Sequence, residues 1–306
     1  MSASADGAHP PTSRPRHHRG NRRVALITVV TMASALAVVI WFALSVPTPQ
    51  STGSFPVVTT SPTPQYPVGH LDAAEPSGMA PPSAQALAGY SQSYVSDFTG
   101  STIPTGWFKF TGKPNIDLTG QFGARHVVVS NGLLHLNTWR DPQYANKWVG
   151  GGICQCALAR TYGAYFVRSR ITADGPNEVQ LLWPASNISP PEIDFNETGS
   201  HHGATSWTVH WGIENSIDQR SLVIDMTRWH TWGVIWSPSA ITFTVDGRAW
   251  GDFTTRANIA NVPMTLDFEQ LALCQSGRYC PSAPASMLID WVAEYTPKTP
   301  HDRSPS

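Results

Sequence analysis

The stretch Pro190-Pro191-Glu192-Ile193-Asp194-Phe195-Asn196-Glu197 alternates acidic with apolar residues and then breaks its own alternation. In a regular strand successive side chains point to opposite faces, so Glu192 and Asp194 share one face and Ile193 and Phe195 the other. Glu197, five residues beyond Glu192, would fall on the apolar side. A charged carboxylate among core residues is costly, and one extra residue near Asn196, a β-bulge, returns Glu197 to the acidic face. Bulged this way, Glu192 and Glu197 stand about four strand rises apart, roughly 13 Å between Cα atoms, and side chains leaning inward by about 4 Å each bring the carboxylates to about 5 Å. That separation suits a glycosidase that retains anomeric configuration, whereas inversion needs roughly 6.5 to 9.5 Å to admit a water. Asp194 lies between the two, and three carboxylates so close cannot all ionise cheaply, which supplies a proton donor near neutral pH. As a bare pattern E-x-D-x-x-E also occurs on solvated helices, in loops and among calcium ligands. Here the mostly apolar run Val179 to Trp183 precedes it and core-type residues interrupt it, so the acids belong to a strand that lines a groove.

Outward from this stretch the same period continues. Leu133 to Leu136, Ala164 to Ile171, Trp232 to Trp236 and Ile241 to Val245 are short runs rich in β-branched and aromatic residues. Asn131-Gly132, Asp174-Gly175, Ser237-Pro238 and Asp246-Gly247 separate them as turns. Many strands with hardly a helix candidate predict an all-β fold, a jelly-roll sandwich of two antiparallel sheets over residues 92–297. The run from Ile241 to Trp250 is the clearest hairpin, because Asp246-Gly247 can take the positive φ angles of a type I′ turn. Eleven of the 12 tryptophans lie beyond residue 100, which suits a thick core or a sugar-stacking surface.

The first 91 residues read differently. Residues 1–23 carry Arg14, Arg16, Arg19, Arg22 and Arg23 against the single acid Asp6. Residues 24–46 follow as 23 positions without a charge, long enough to cross a bilayer as a helix. The positive-inside bias keeps the N-terminus cytoplasmic and sends the bulk of the chain outside. Ala43-Leu44-Ser45 also resembles a cleavage site, so signal anchor and signal peptide both stand, and both export the domain. Residues 47–91 are rich in Pro, Ser, Thr and Ala and read as a disordered linker; residues 298–306 form a C-terminal tail. Four cysteines, Cys154, Cys156, Cys274 and Cys280, lie in the exported part, where disulfides persist. Cys274 with Cys280 is the first expectation among three possible connectivities. With 20 Lys and Arg against 21 Asp and Glu, the near-neutral chain has no long-range field to hold a polyanion, which disfavours a nucleic-acid partner.

At the acidic stretch the sequence resembles glycoside hydrolase family 16, the laminarinase and lichenase group, whose bulged signature is E-[ILV]-D-x-x-E. The resemblance extends through Tyr162-Gly163 with Val167-Arg168, through Trp229-His230-Thr231 with Val234 to Pro238, through Val245-Asp246-Gly247, and through Met287 to Val292. It implies a concanavalin-like jelly roll acting on a β-glucan or similar polysaccharide. By it Glu192 is the nucleophile, Asp194 the electrostatic helper and Glu197 the general acid/base. Similarity and strand phase together nominate Arg168, Trp183 and His210 as substrate-binding residues. Phase alone nominates Asp267 and Glu269, which alternate with Met264, Leu266 and Phe268. The sequence also departs from the family. Gly175 to Leu181 lacks two tryptophans usual in the family, Pro191 replaces a frequent Trp, and Phe166 stands at a position usually Glu. Reaction type therefore transfers better than specificity. A non-catalytic carbohydrate-binding module and a transglycosylase are the alternatives to an endo-acting hydrolase. Acetal substitution by two carboxylates needs no cofactor and no metal, and the chain is expected to be a monomer.

Overall fold

A computed structural model of the chain describes residues 65–114, 120–199, 201–274 and 279–298, and among them the alternating runs form eighteen strands. The expected membrane-crossing segment 24–46 lies outside the described residues. Seven strands form one antiparallel sheet in the spatial order β13 (Ser216–Val223), β12 (Ala204–Trp211), β11 (Glu192–Glu197), β10 (Asn177–Pro184), β17 (Met264–Leu271), β8 (Gly152–Cys154) and β4 (Phe108–Lys109). The second sheet runs β16 (Arg248–Phe253), β15 (Ile241–Val245), β14 (His230–Trp236), β9 (Gly163–Ile171), β18 (Ala285–Pro297), β6 (Leu133–Asp141) and β5 (Val127–Ser130). In it β3 (Tyr90–Ser96) adds to β18, and β7 (Lys147–Val149) to β6. Asp246 and Gly247, with φ of 46° and 79°, close the β15–β16 hairpin as the sequence predicts.

Between the sheets lies the main core. Ile193, Phe195, Trp207, Val209, Leu266 and Phe268 from the first sheet meet Tyr165, Val167, Trp232, Val234, Trp236, Phe243 and Ile289 from the second. Trp207 stacks on Phe243 at 4.6 Å with planes only 4° apart, joining the sheets directly behind the acidic strand. Each such buried side chain contributes about 1.5–3 kcal/mol relative to exposure.

The far face of the second sheet is apolar as well: Ala164, Phe166, Trp291, Ala293 and Tyr295 are buried there with Leu87, and Tyr66 and Tyr90 pack against them. This corrects the expected linker. Within residues 65–91, the pair β1 (His70–Leu71) and β2 (Met79–Ala80) belongs to a strap laid over that face. Trp291 Nε1 donates to the Met79 carbonyl at 2.9 Å, Tyr295 Oη to that of Ser83 at 2.8 Å and Thr231 Oγ1 to that of Val68 at 3.1 Å. Pro/Ser/Ala-rich composition resembled a tether because the strap's order comes from the sheet it covers, not from a period of its own. Cysteine pairing is Cys154–Cys156 and Cys274–Cys280; the second matches the first expectation.

Candidate active site

The acidic strand β11 carries the bulge its sequence requires. Against β12, Glu192 pairs with His210, Asp194 with Thr208 and Glu197 with Ser206, so three steps along β11 match two along β12. Against β10, Leu181 pairs with Asp194 but Gln180 with Asn196, which makes Phe195 the extra residue. Phe195 and Asn196 both turn inward. Phe195 is fully buried in the core, while the Asn196 amide donates to Glu178 Oε1 at 3.2 Å and accepts from Thr205 Oγ1 at 2.6 Å. Two consecutive inward residues bring Glu197 out on the face of Glu192 and Asp194. The five steps from Glu192 to Glu197 now span the four steps from His210 to Ser206, about 13 Å at the usual rise.

Cross-strand pairing extends this face sideways in rows. Asp194, Leu181 and Asp267 form one row, Glu197, Val179 and Glu269 the next, and Trp183 pairs with Thr265 beyond the first. Paired residues point the same way, so Glu192, Asp194, Glu197, Asp267, Glu269, Trp183 and His210 all belong to the groove face. Met264, Leu266 and Phe268 face the core, as their alternation predicts.

Each group is held by a neighbour. Ser189 Oγ donates to Glu192 Oε2 at 2.8 Å, and Asn177 Nδ2 to Glu197 Oε1 at 2.8 Å. His210 Nε2 lies 3.3 Å from Asp194 Oδ2, and its Nδ1 2.9 Å from Asn215 Oδ1. Thr265 Oγ1 donates to Asp267 Oδ1 at 2.7 Å, and Trp183 Nε1 to Asn187 Oδ1 at 2.9 Å. Burial, and then the charge of Glu192, push the Asp194 carboxyl well above the usual range against the opposing pull of His210. Burial also raises Glu197, with the Asn177 hydrogen bond acting against it and Glu192 adding to it. Asp267 is held well above its ordinary value by burial, and Glu269 is pushed up to about 8 by burial and then by Glu192 and Glu197. Burial works against a charged His210, but the Asp194 hydrogen bond and the carboxylates outweigh it and lift the imidazole to about 9. At about 8, Glu269 keeps its proton near neutral pH, and at about 9 His210 is an imidazolium there.

Arg168 is not among these residues. It sits on β9 in the opposite sheet, in phase with Phe166 on the face under the strap. Its Nε donates to Ser77 Oγ at 3.2 Å, its Nη1 to Thr231 Oγ1 at 3.3 Å, and Asp246 lies 3.9 Å away. The expectation that it binds substrate is corrected to a packing and ion-pair role, because its strand belongs to the sheet that backs the groove. Ser189, Asn177 and Asn215 were missed by sequence reasoning. Nothing in a lone Ser or Asn marks it as a carboxylate's or imidazole's partner until strands from distant positions are paired.

The sequence profile described as Glycosyl hydrolases family 16 matches residues 117–293, more than half of the chain. The chain belongs to this family. Endo-1,3-1,4-beta-glycanase ExsH of Rhizobium meliloti (strain 1021) is 27% identical over 146 residues, covering 46% of this chain but only 31% of that protein. This family 16 chain thus spans less than a third of the length of that curated relative. Among solved structures, the catalytic domain of an endo-1,3-beta-glucanase (laminarinase) from Thermotoga petrophila RKU-1 superposes with a TM-score of 0.61 at 14% identity, over 69% of this chain and 99% of that one. The laminarinase from Rhodothermus marinus does so with 0.60 at 16% identity, over 69% and 98%. At such identities the likeness is one of fold, and it places the family 16 jelly roll over most of the described residues.

Proposed function

We propose that this family 16 chain is an exported, retaining endo-β-glycanase acting on a β-glucan or similar polysaccharide. The observation that carries the proposal is the bulge at Phe195, which sets Glu197 on the face of Glu192 and Asp194 across from Asp267 and Glu269. In the first step a Glu192 carboxylate oxygen attacks the anomeric carbon, the bond to the glycosidic oxygen breaks, and Glu197 gives its proton to that oxygen. In the second, the Glu197 carboxylate takes a proton from water as the water oxygen displaces Glu192, restoring both groups. Asp194, between them and paired with His210, tunes the charge of the nucleophile. Trp183 offers a ring for stacking, and His210, Asp267 and Glu269 offer hydrogen bonds to sugar hydroxyls. The 1,3-1,4-β-glycanase and laminarinase names of the relatives support a β-glucan as substrate. Export rests on the basic residues 1–23 and the uncharged segment 24–46.

The test is release of reducing sugar from β-1,3- and mixed-linkage β-glucans, with the anomer of the first product followed by NMR. The β-anomer should form first, and Glu192→Ala should lower the rate by at least about a thousandfold, as loss of a group that reacts directly does. First release of the α-anomer, or full activity in the variant, would remove the nucleophile assignment.

A further inference from the structure

We propose that Glu192, Asp194 and His210 form a site for one divalent transition-metal ion, Zn²⁺ in the first instance, whose binding blocks the groove by engaging the nucleophile. One carboxylate oxygen from each acid and a ring nitrogen of His210 all lie within 4.8 Å of one another. The 3.3 Å between His210 Nε2 and Asp194 Oδ2 matches the spacing of two ligands on a common ion. Donors about 2.1 Å from a tetrahedral Zn²⁺ stand about 3.4 Å apart. The backbone supplies this geometry without loops: Glu192 and Asp194 are alternate residues of β11, and His210 is the β12 partner of Glu192.

Two further observations point to a ligand here. Asp194 is only 2% exposed, and its Oδ1 has no hydrogen-bond partner among the described residues. A buried carboxylate oxygen left so is costly, and a cation held by both Asp194 oxygens would satisfy it. His210 also has the outer partner usual for a metal-bound imidazole, since Nδ1 faces Asn215 Oδ1 at 2.9 Å. With Nδ1–H donating there, it is Nε2, facing Asp194 Oδ2, that exchanges its proton for an ion. Ser189 Oγ donates to Glu192 Oε2 and so orients this carboxylate.

Two carboxylates and one imidazole suit Zn²⁺ and its neighbours, with a fourth position left for water; Ca²⁺ and Mg²⁺ prefer six or more oxygens. The ion takes the place of the proton between His210 and Asp194, and that proton passes to solvent. Once bound, it uses the Glu192 lone pair that would attack the anomeric carbon, and its charge opposes an oxocarbenium-like transition state. The inhibitory consequence rests on the proposed hydrolase activity; the binding does not.

The experiment is calorimetric titration of the full, untagged chain in mild detergent with ZnCl₂, paralleled by the visible absorption of bound Co²⁺. The wild type should show a site whose affinity falls at least about tenfold in His210→Gln and by a similar factor in Asn215→Gly, as outer-partner losses do. Asn215 has a φ of 50°, so glycine keeps its backbone while removing the acceptor. Zn²⁺ should stop β-glucan hydrolysis by the wild type, with recovery on adding EDTA. No Zn²⁺ binding, or binding equally tight in both variants, would overturn the site. A site that weakens in both variants of a chain lacking hydrolase activity would support the binding while overturning the inhibitory role and the hydrolase reading.

Discussion

Glu197 shows how single contacts set the chemistry. It must carry a proton to release the leaving group, and burial together with Glu192 holds its carboxyl above the ordinary range while Asn177 draws it down. A donor to a carboxylate favours the charged form. Asn177→Ala should therefore move the basic limb of the kcat/KM profile to higher pH; a limb that stays put or moves to lower pH would show that Asn177 does not tune the acid. Glu197→Gln should lower kcat/KM on polysaccharide by about 10²–10⁴-fold. The loss should be much smaller on aryl glycosides whose leaving groups need no proton, and an equal loss on both would deny Glu197 the acid role. The carboxylates were legible in residue order because their spacing is local. Asn177 was not, since its meaning depends on β10 lying beside β11.

At the scale of the strand, the bulge is stabilised from behind by a polar group that the alternation did not single out. Glu178 on β10 faces the second sheet, is 1% exposed, and accepts from Gln180 Nε2 at 3.0 Å and Asn196 Nδ2 at 3.2 Å. Burial pushes its carboxyl up to about 8. Because the folded state holds this proton more tightly than the unfolded chain, the contribution of Glu178 to stability is full below the ordinary value of 4.5 and declines as pH rises toward 8. Glu178→Gln removes the titration and keeps the acceptor, so denaturant midpoints should lose much of their decline across that window. An unchanged decline would assign it to other groups. Trp207, stacked on Phe243 behind the same strand, should cost about 3–5 kcal/mol on truncation to Ala; urea unfolding measures it, and a loss under about 1 kcal/mol would mean that the contact between the sheets is dispensable.

For the whole molecule the strap matters most. Tyr66, Leu87 and Tyr90 cover Phe166, Trp291 and Tyr295, which would otherwise form an apolar patch on the sheet backing the groove. Deleting residues 65–91 should lower the melting temperature markedly and raise binding of an apolar dye, because burying each large side chain contributes about 1.5–3 kcal/mol. A true tether would be removable without either effect, and that outcome would return the segment to the linker first expected. A signal for the strap did exist: the alternation expected of Ala164 to Ile171 does not hold at its start, where Ala164 to Val167 are four consecutive apolar residues, the mark of a strand buried on both faces. Of the two uses the tryptophans could serve, Trp232 and Trp236 of β14 take the core, where both are fully buried.

Residue order alone carried the class of fold, the need for a bulge and the three acids, since all follow from a two-residue period and from the cost of burying charge. Strand phase, a local property, also put Asp267 and Glu269 on the groove face, while Trp183 and His210 needed the family resemblance beside it. Residue order misplaced Arg168 and mistook the strap for a tether, because phase tells which side of a strand a residue takes but not which sheet the strand joins or what covers it. The holders of the acids, Asn177, Ser189 and the His210–Asn215 pair, likewise emerged only from packing. Their effect depends on distances between segments that the chain brings together after its strands have found their neighbours.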